Sequence, residues 1–169
     1  MNSLRYKRID PKSLTQQDDQ SVFQAVAEHV IFLVGHVLEH TAVNTIQGVP
    51  KSVVNAWRLW LFSSEVAGNG LPDYFLNHCY SVPEARAYYE ALVEVGAKEL
   101  VEMFESAALL AIAEGCELSE AKDVKWFKSF KNSARWPTLE SIEEPSMSFA
   151  GSPLSALVAE HLRASSSVV

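Results

Sequence analysis

The sequence predicts an all-α protein with a single domain, and three observations lead to that fold class. Apolar residues recur at intervals of three and four along most of the chain, no useful length alternates apolar and polar residues, and no repeat or low-complexity tract occurs. The chain has 169 residues, of which 48% are hydrophobic, enough for one hydrophobic core. We therefore expect residues 1–169 to form one domain of about seven or eight helices.

The first half of the chain is predicted to contain two long helices. An apolar helical period runs from about Asp18 to His40, and a second begins after a connection, with Pro50 where proline is favoured at a helix start. We expect the second helix to end at the Gly-Asn-Gly sequence of residues 68–70, because these residue types accept the left-handed conformation that terminates helices. Residues 71–80 are expected to add one or two helical turns.

The next helix is predicted to begin near Glu84, which has capping-box spacing from Ser81. The helical spacing of apolar residues continues to Gly96 and resumes from Ala97 to Gly115. Gly96 therefore marks either a break or a close crossing of two helices.

The two ends of the chain carry weaker signals. A weaker helix is predicted after Ser119 and a last helix from Ser152 to about Arg163, whereas residues 136–151, with their prolines and serines, are expected to form a surface loop or partial turns. The basic leader of residues 1–15 and the tail of residues 165–169 are expected to be flexible.

Composition argues against several classes of protein. The net charge of −7 disfavours binding to nucleic acid or to an anionic membrane through bulk charge. Cys79 and Cys116 lack the spacing of a metal site or a disulfide framework and fit a reducing compartment. The basic leader precedes no apolar stretch, and no apolar run approaches the ~20 residues that span a bilayer. We expect a soluble cytoplasmic protein.

The negative charge is concentrated in the middle of the chain. Residues 61–120 carry a net charge of −9, between stretches of +2 at residues 51–60 and +4 at residues 121–136. The second basic stretch contains a strip of lysines: Lys122, Lys125, Lys128 and Lys131. This strip is interpreted as a solvated face or as an intramolecular partner of the acidic segment.

Five glutamates of the acidic segment are predicted to point away from the core. They lie opposite the apolar stripes of two consecutive helices: Glu90, Glu94, Glu99, Glu102 and Glu105. Two interpretations are open, a solvated face that keeps the protein soluble and a docking surface for a basic partner. One such helix carries about one charge per 4.5 Å, against one per ~1.7 Å of B-DNA, so several acidic helices or two subunits would have to combine to imitate a duplex.

A metal-binding pattern occurs near the end of the first long helix. The string His36-Val-Leu-Glu39-His40 matches the HxxEH arrangement, in which two histidines bind zinc and the glutamate acts as base, and a helix would place both histidines on one face. The alternative is a pair of ordinary histidines at the edge of the apolar stripe. A third protein ligand would be needed, and Glu114 or Glu117 could be nominated only arbitrarily. No phosphate-binding loop or nucleophile motif occurs, so no cofactor is predicted.

Another pattern, within residues 65–97, resembles a known family. It reads Glu65-Val-Ala-Gly-Asn69-Gly70-Leu-Pro-Asp-Tyr74-Phe75-Leu-Asn77, followed by Ala91-Leu-Val-Glu-Val-Gly96-Ala97. Together the two strings resemble the signature of the DNA mimic protein 19 family, many of whose members are described only as a domain of unknown function. The resemblance covers about a fifth of the chain directly.

The resemblance implies an all-helical intracellular bacterial protein. The family's named member uses a duplex-like acidic surface to occupy the DNA-binding face of a transcription factor. The signature residues, which include Glu65, would be structural. Asn69 and Gly70 would form the turn, Tyr74 and Phe75 would pack, Asn77 would cap and Gly96 would permit close helix contact.

The predicted function is non-enzymatic protein binding through the five glutamates. The partner would be a basic protein such as a DNA-binding transcription factor or a toxin, without direct contact to nucleic acid or membrane. The protein could in addition form a homodimer. Two other functions also remain open. One is an immunity or antitoxin-type protein that neutralises a basic toxin, and the other is a zinc hydrolase that uses His36, Glu39 and His40.

Overall fold

The computed structural model describes residues 5–6, 9, 11–35, 37–39, 41–78, 82–113 and 136–165. Within these ranges the protein is all-α, as predicted, and its one β-type pairing is an isolated bridge between Arg5 and Gln47. Six of the helices in the described ranges are at least eight residues long, slightly fewer than the seven or eight expected.

The elements occur in a simple order along the chain. They are α1 (Pro11–Gln16), α2 (Asp19–Val34), a 3-10 helix (Ala42–Thr45), α3 (Lys51–His78), α4 (Val82–Glu94), α5 (Lys98–Ala113), α6 (Trp136–Glu140), α7 (Glu143–Ala150) and α8 (Ser152–Ala164). The long helix α3 is central, because α2, α4, α5, α7 and α8 all pack against it. None of the described helices is long and apolar enough to cross a bilayer.

Helix α2 is shorter than its apolar period predicts. It starts where the Asp18 carboxylate accepts the Ser21 N–H at 2.9 Å, and hydrogen bonds from the Ser21 hydroxyl and backbone lower the pKa of Asp18. It ends at Val34, because Gly35 adopts the left-handed conformation with φ 69°. The prediction that it continues to His40 is therefore wrong.

Helix α3 continues through the Gly-Asn-Gly sequence at which it was expected to end. Only Gly70, with φ 75° and ψ 168°, leaves helical geometry, and helical turns follow it as far as His78. The backbone N–H of Leu71 donates to Ser146 Oγ on α7 at 2.9 Å, and the Ser63 hydroxyl donates to the Ala150 carbonyl at 2.6 Å. The sequence therefore bends α3 rather than ending it, and α7 packs along the bend.

The expected surface loop at residues 136–151 is instead two short helices, α6 and α7. Pro137 and Pro145 both lie in first turns, where the N–H groups have no partner within the helix, so neither proline opposes helix formation. Residues 11–15 of the leader, which was expected to be flexible, also belong to a helix, α1 (Pro11–Gln16). The helix predicted after Ser119 and tail residues 166–169 lie outside the described residues.

One hydrophobic core joins α1 to α5, α7 and α8. At its centre is a cluster of aromatic rings whose neighbouring centroids are 5.0–6.1 Å apart: Phe62, Tyr74, Phe75, Tyr88 and Phe104. The bend at Gly70 turns the second half of α3 so that its two aromatic residues reach α4 and α5. This cluster therefore fixes the position of the α4–α5 pair on the molecule.

Candidate protein-binding surface

The helices α4 and α5 form a hairpin whose turn is centred on Gly96. The Ala97 N–H donates to the Leu92 carbonyl at 3.0 Å and the Gly96 N–H to the Val93 carbonyl at 3.1 Å, the pattern of a Schellman helix end. Gly96 has φ 76°, which confirms the predicted break. Apart from Gly96 itself and its chain neighbours, none of the described residues has an atom within 4 Å of the place where a side chain would begin, so the glycine serves the turn rather than a close helix crossing.

The five glutamates predicted to point away from the core are all exposed on this hairpin. Glu94 pairs with Lys51 at the start of α3, and Glu105 accepts a hydrogen bond from Tyr89. Within the part of the chain that the structure describes, the side-chain carboxylates of Glu90, Glu99 and Glu102 have neither a hydrogen-bond nor an ion-pair partner. The sequence-based set therefore divides into two paired and three unpaired carboxylates.

The hydrogen bond between Tyr89 and Glu105 ties the two helices together on their outer side. The Tyr89 hydroxyl donates to Glu105 Oε1 at 2.5 Å, and this bond raises the pKa of Tyr89 above its usual value. The Tyr89 ring also lies 6.0 Å from the Phe104 ring. One side chain thus links the outer surface of the hairpin to the aromatic core beneath it.

The ion pair between Lys51 and Glu94 joins the start of α3 to the end of α4. The Lys51 side chain is 74% exposed and the Glu94 side chain 32%, so water screens the pair and its contribution to stability is small. Its effect on the surface is larger, since it neutralises one edge of the acidic region.

Two apolar side chains also lie on the outer side of the hairpin. Val93 on α4 is 52% exposed and Leu109 on α5 is 68% exposed. They are one turn beyond Tyr89 and Glu105 respectively, and helical geometry places each about 40° further outward than those residues. A single surface of the hairpin therefore presents apolar and acidic groups together, which the charge pattern alone did not indicate.

Residues 37–39, the described part of the HxxEH pattern, are not helical. Glu39 is exposed and follows the end of α2, and its carbonyl accepts a 3.0 Å hydrogen bond from Trp57 Nε1. The expectation that α2 places the motif on one helical face is therefore wrong. His36, His40, Glu114 and Glu117 lie outside the described residues, and no group of residues within those residues could bind a metal.

The basic strip formed by Lys122, Lys125, Lys128 and Lys131 also lies outside the described residues. Its interpretation as a solvated face or an intramolecular partner of the acidic segment stays a prediction.

A family model described as DMP19-like protein matches residues 47–164. The chain belongs to the DMP19-like protein family. This confirms the resemblance found in the sequence, and the match extends from before α3 to the end of α8 and includes the whole α4–α5 hairpin. Among curated proteins and among solved structures, no match to the chain was found.

In this DMP19-like chain, the Asn-Gly pair of the signature forms a bend within a helix. A Cβ on Gly70 would lie 2.7 Å from Glu143 Cγ and 3.2 Å from Glu143 Cα, and the backbone conformation is one that only glycine adopts readily. Asn69, which precedes it, is exposed. The expected turn is therefore present as a bend that presses the α3 backbone against α7.

The remaining signature residues of this DMP19-like chain differ in how well their expected roles apply. Tyr74 and Phe75 pack as expected, with 2% and 1% of their surfaces exposed. Glu65 is half-buried on α3. Asn77 lies within α3 one residue before its end, with a side chain outside the described set, and Gly96 makes no close helix contact. None of these residues belongs to the acidic surface.

Proposed function

We propose that this DMP19-like protein binds a basic protein partner through the α4–α5 hairpin and acts as a DNA mimic that occupies the DNA-binding face of a transcription factor. The observation that carries the proposal is a set of three exposed carboxylates on two adjacent helices, Glu90, Glu99 and Glu102, which have no partner among the residues that the structure describes. Exposed like charges at close spacing repel one another, and a basic partner would relieve that repulsion.

The arrangement of the carboxylates supports mimicry better than a single helix could. Glu90 lies on α4 and Glu102 on α5, so the acidic groups form two columns rather than one. Packed helix axes are about 8–10 Å apart, which is comparable with the ~12 Å width of the major groove between two phosphate strands. A DNA-binding protein that contacts the phosphates on both sides of a groove would therefore find carboxylates on both α4 and α5.

The test uses two variants of equal net charge. One carries Glu90→Gln, Glu99→Gln and Glu102→Gln on the hairpin. The other carries three changes of exposed glutamates elsewhere: Glu28→Gln, Glu140→Gln and Glu160→Gln. Each triple change alters the net charge of −7 by the same amount, so the pair separates local from overall charge.

Immobilised protein would be exposed to DNA-binding proteins of the native cell at low salt. We expect retention by the wild type and by the control variant, at least about tenfold weaker binding by the hairpin variant, and release by added duplex DNA or by salt, which screens exposed charges. Equal retention by the two variants would contradict the proposal, and so would retained proteins that duplex DNA does not displace.

A further inference from the structure

The outer surface of the α4–α5 hairpin contains a seam made of two exposed apolar side chains, Val93 and Leu109, and the Tyr89–Glu105 pair between them along the hairpin. The Tyr89 hydroxyl and the Glu105 carboxylate are 2.5 Å apart, and the acidic columns on the two flanks of the seam are Glu90 on α4 and Glu99 and Glu102 on α5. Helical geometry orders the side chains from the seam outward. On α4, Val93 lies about 40° and Glu90 about 100° away from Tyr89, and on α5 Leu109 lies about 40° and Glu102 about 60° away from Glu105.

Both apolar side chains of the seam are open to solvent. Val93 and Leu109 are 52% and 68% exposed, although both are large apolar residues in regular helix. A purely electrostatic DNA mimic has no use for apolar groups there, since phosphate-binding surfaces are polar and strongly positive. A protein partner that buries the seam would gain the hydrophobic contribution of both side chains.

We propose that the seam receives an amphipathic basic helix of the partner protein, with apolar residues seven positions apart and lysine or arginine on both flanks. This inference rests on the proposed function and specifies the partner of the same surface. Charge complementarity selects the occupant: the acidic columns on both sides of the seam require basic residues on both sides of an apolar stripe.

The spacing of the two apolar residues sets the spacing in the partner. The helices of the hairpin run in opposite directions, so Val93 lies toward the Gly96 turn and Leu109 toward the other end. Each is one turn from the Tyr89–Glu105 contact, which separates them by about 12 Å along the hairpin. Residues seven apart on a partner helix are separated by about 10.5 Å on one face, close enough to reach both.

The test measures binding of two labelled peptides by fluorescence anisotropy. The first is a lysine-rich helical peptide of about 18 residues with leucines seven apart on one face, and the second has the same composition with the leucines on opposite faces. We expect the first peptide to bind at least about fivefold more tightly. Equal affinities would overturn the inference.

Substitutions in the protein locate the binding. We expect Val93→Thr and Leu109→Gln each to lower the affinity for the first peptide at least about fivefold, while the dependence of that affinity on salt stays unchanged. The matched control is Phe32→Gln, which alters an apolar residue 81% exposed on α2 and should leave affinity unchanged. Circular dichroism of each variant verifies that the fold is intact, because exposed helix positions tolerate these changes.

The outcomes distinguish this inference from the proposed function. If the Glu90, Glu99 and Glu102 variant loses binding but Val93→Thr and Leu109→Gln do not, the seam inference is wrong and the acidic docking surface stands. If neither the three glutamate changes nor the changes at Val93 and Leu109 weaken binding, both the proposed function and the seam inference are wrong. If wild-type protein self-associates in sedimentation and Leu109→Gln abolishes this, the occupant is a second copy of the chain and the partner helix is overturned.

Discussion

The backbone N–H of Leu71 donates a hydrogen bond of 2.9 Å to Ser146 Oγ, across 75 residues of sequence. Ser146 is fully buried, and its hydroxyl in turn donates to the Glu143 carbonyl at 2.8 Å. Because Gly70 is non-helical and Pro72 has no N–H, this bond pairs a donor that the bend removes from the helical pattern. One hydroxyl therefore joins the bend of α3 to α7.

Loss of that hydroxyl is expected to destabilise the fold. Ser146→Ala leaves the buried Leu71 N–H unpaired and should lower the free energy of unfolding by about 1–3 kcal/mol, measured by urea denaturation. The matched control, Ser148→Ala on the exposed side of α7, should change it by less than about 0.5 kcal/mol. Equal effects in the two variants would show that the buried hydrogen bond is not responsible.

The glycine at the bend is expected to resist substitution for two reasons. A Cβ on Gly70 would lie 3.2 Å from the Glu143 carbonyl oxygen, and the conformation with φ 75° strains any other residue. Gly70→Ala should therefore lower the free energy of unfolding, measured by thermal or urea denaturation, by about 2–4 kcal/mol. Gly68→Ala, in regular helix with open space around it, should instead stabilise the protein by about 0.5–1 kcal/mol. A similar loss of stability in Gly70→Ala and Gly68→Ala would show that the bend at Gly70 is not the cause.

The sequence predicted helices well where apolar spacing coincides with burial and failed where a single residue decides the outcome. Val37 and Leu38 continue the apolar period of α2, yet they are 45% and 58% exposed because Gly35 ends the helix before them. Periodicity records residue type and carries no information about which glycine adopts a positive φ. Pro137 and Pro145 suggested a loop because their position in a first turn depends on where each helix begins.

The candidate surface was predictable in part for a related reason. The helical period correctly placed Glu90 and Glu102 on the outer side, since that requires only local geometry. It could not show that Glu94 pairs with Lys51, 43 residues away, or that Tyr89 meets Glu105 across the hairpin turn. Such pairs depend on how helices pack, so the division into paired and unpaired carboxylates required the structure.

Arg163 is expected to hold the N-terminal helix against the last helix. Its guanidinium donates to the carbonyls of Leu14 and Gln17 at 2.9 and 3.0 Å and to Asp19 Oδ1 at 2.6 Å. Arg163→Lys keeps the charge but loses the planar guanidinium that makes all three contacts. We therefore expect the free energy of unfolding to fall by about 1–3 kcal/mol in urea denaturation and hydrogen exchange in Pro11–Gln16 to become faster.

The control for Arg163 is Arg86→Lys, an exposed arginine on α4. It should leave both stability and hydrogen exchange in the N-terminal helix unchanged. Slow exchange in Pro11–Gln16 of the Arg163→Lys protein would mean that the core contact of Leu14, which is fully buried, is sufficient to hold α1.

Tyr6 is expected to make stability depend on alkaline pH. Burial raises the pKa of Tyr6 to about 12 from 10.0, so between these values the folded protein keeps a proton that the unfolded chain releases. The contribution of Tyr6 to the free energy of unfolding is therefore fully present below pH 10 and is lost as the pH rises toward 12. Because Tyr6 is only half-buried, the loss should be about 1 kcal/mol.

The variant Tyr6→Phe tests this dependence on pH. It has no such proton, so its free energy of unfolding, measured in urea from about pH 9 to about pH 11.5, should fall less steeply than that of the wild type. Tyrosines and lysines elsewhere titrate in both proteins and cancel in the difference, so parallel pH profiles would contradict the assignment to Tyr6.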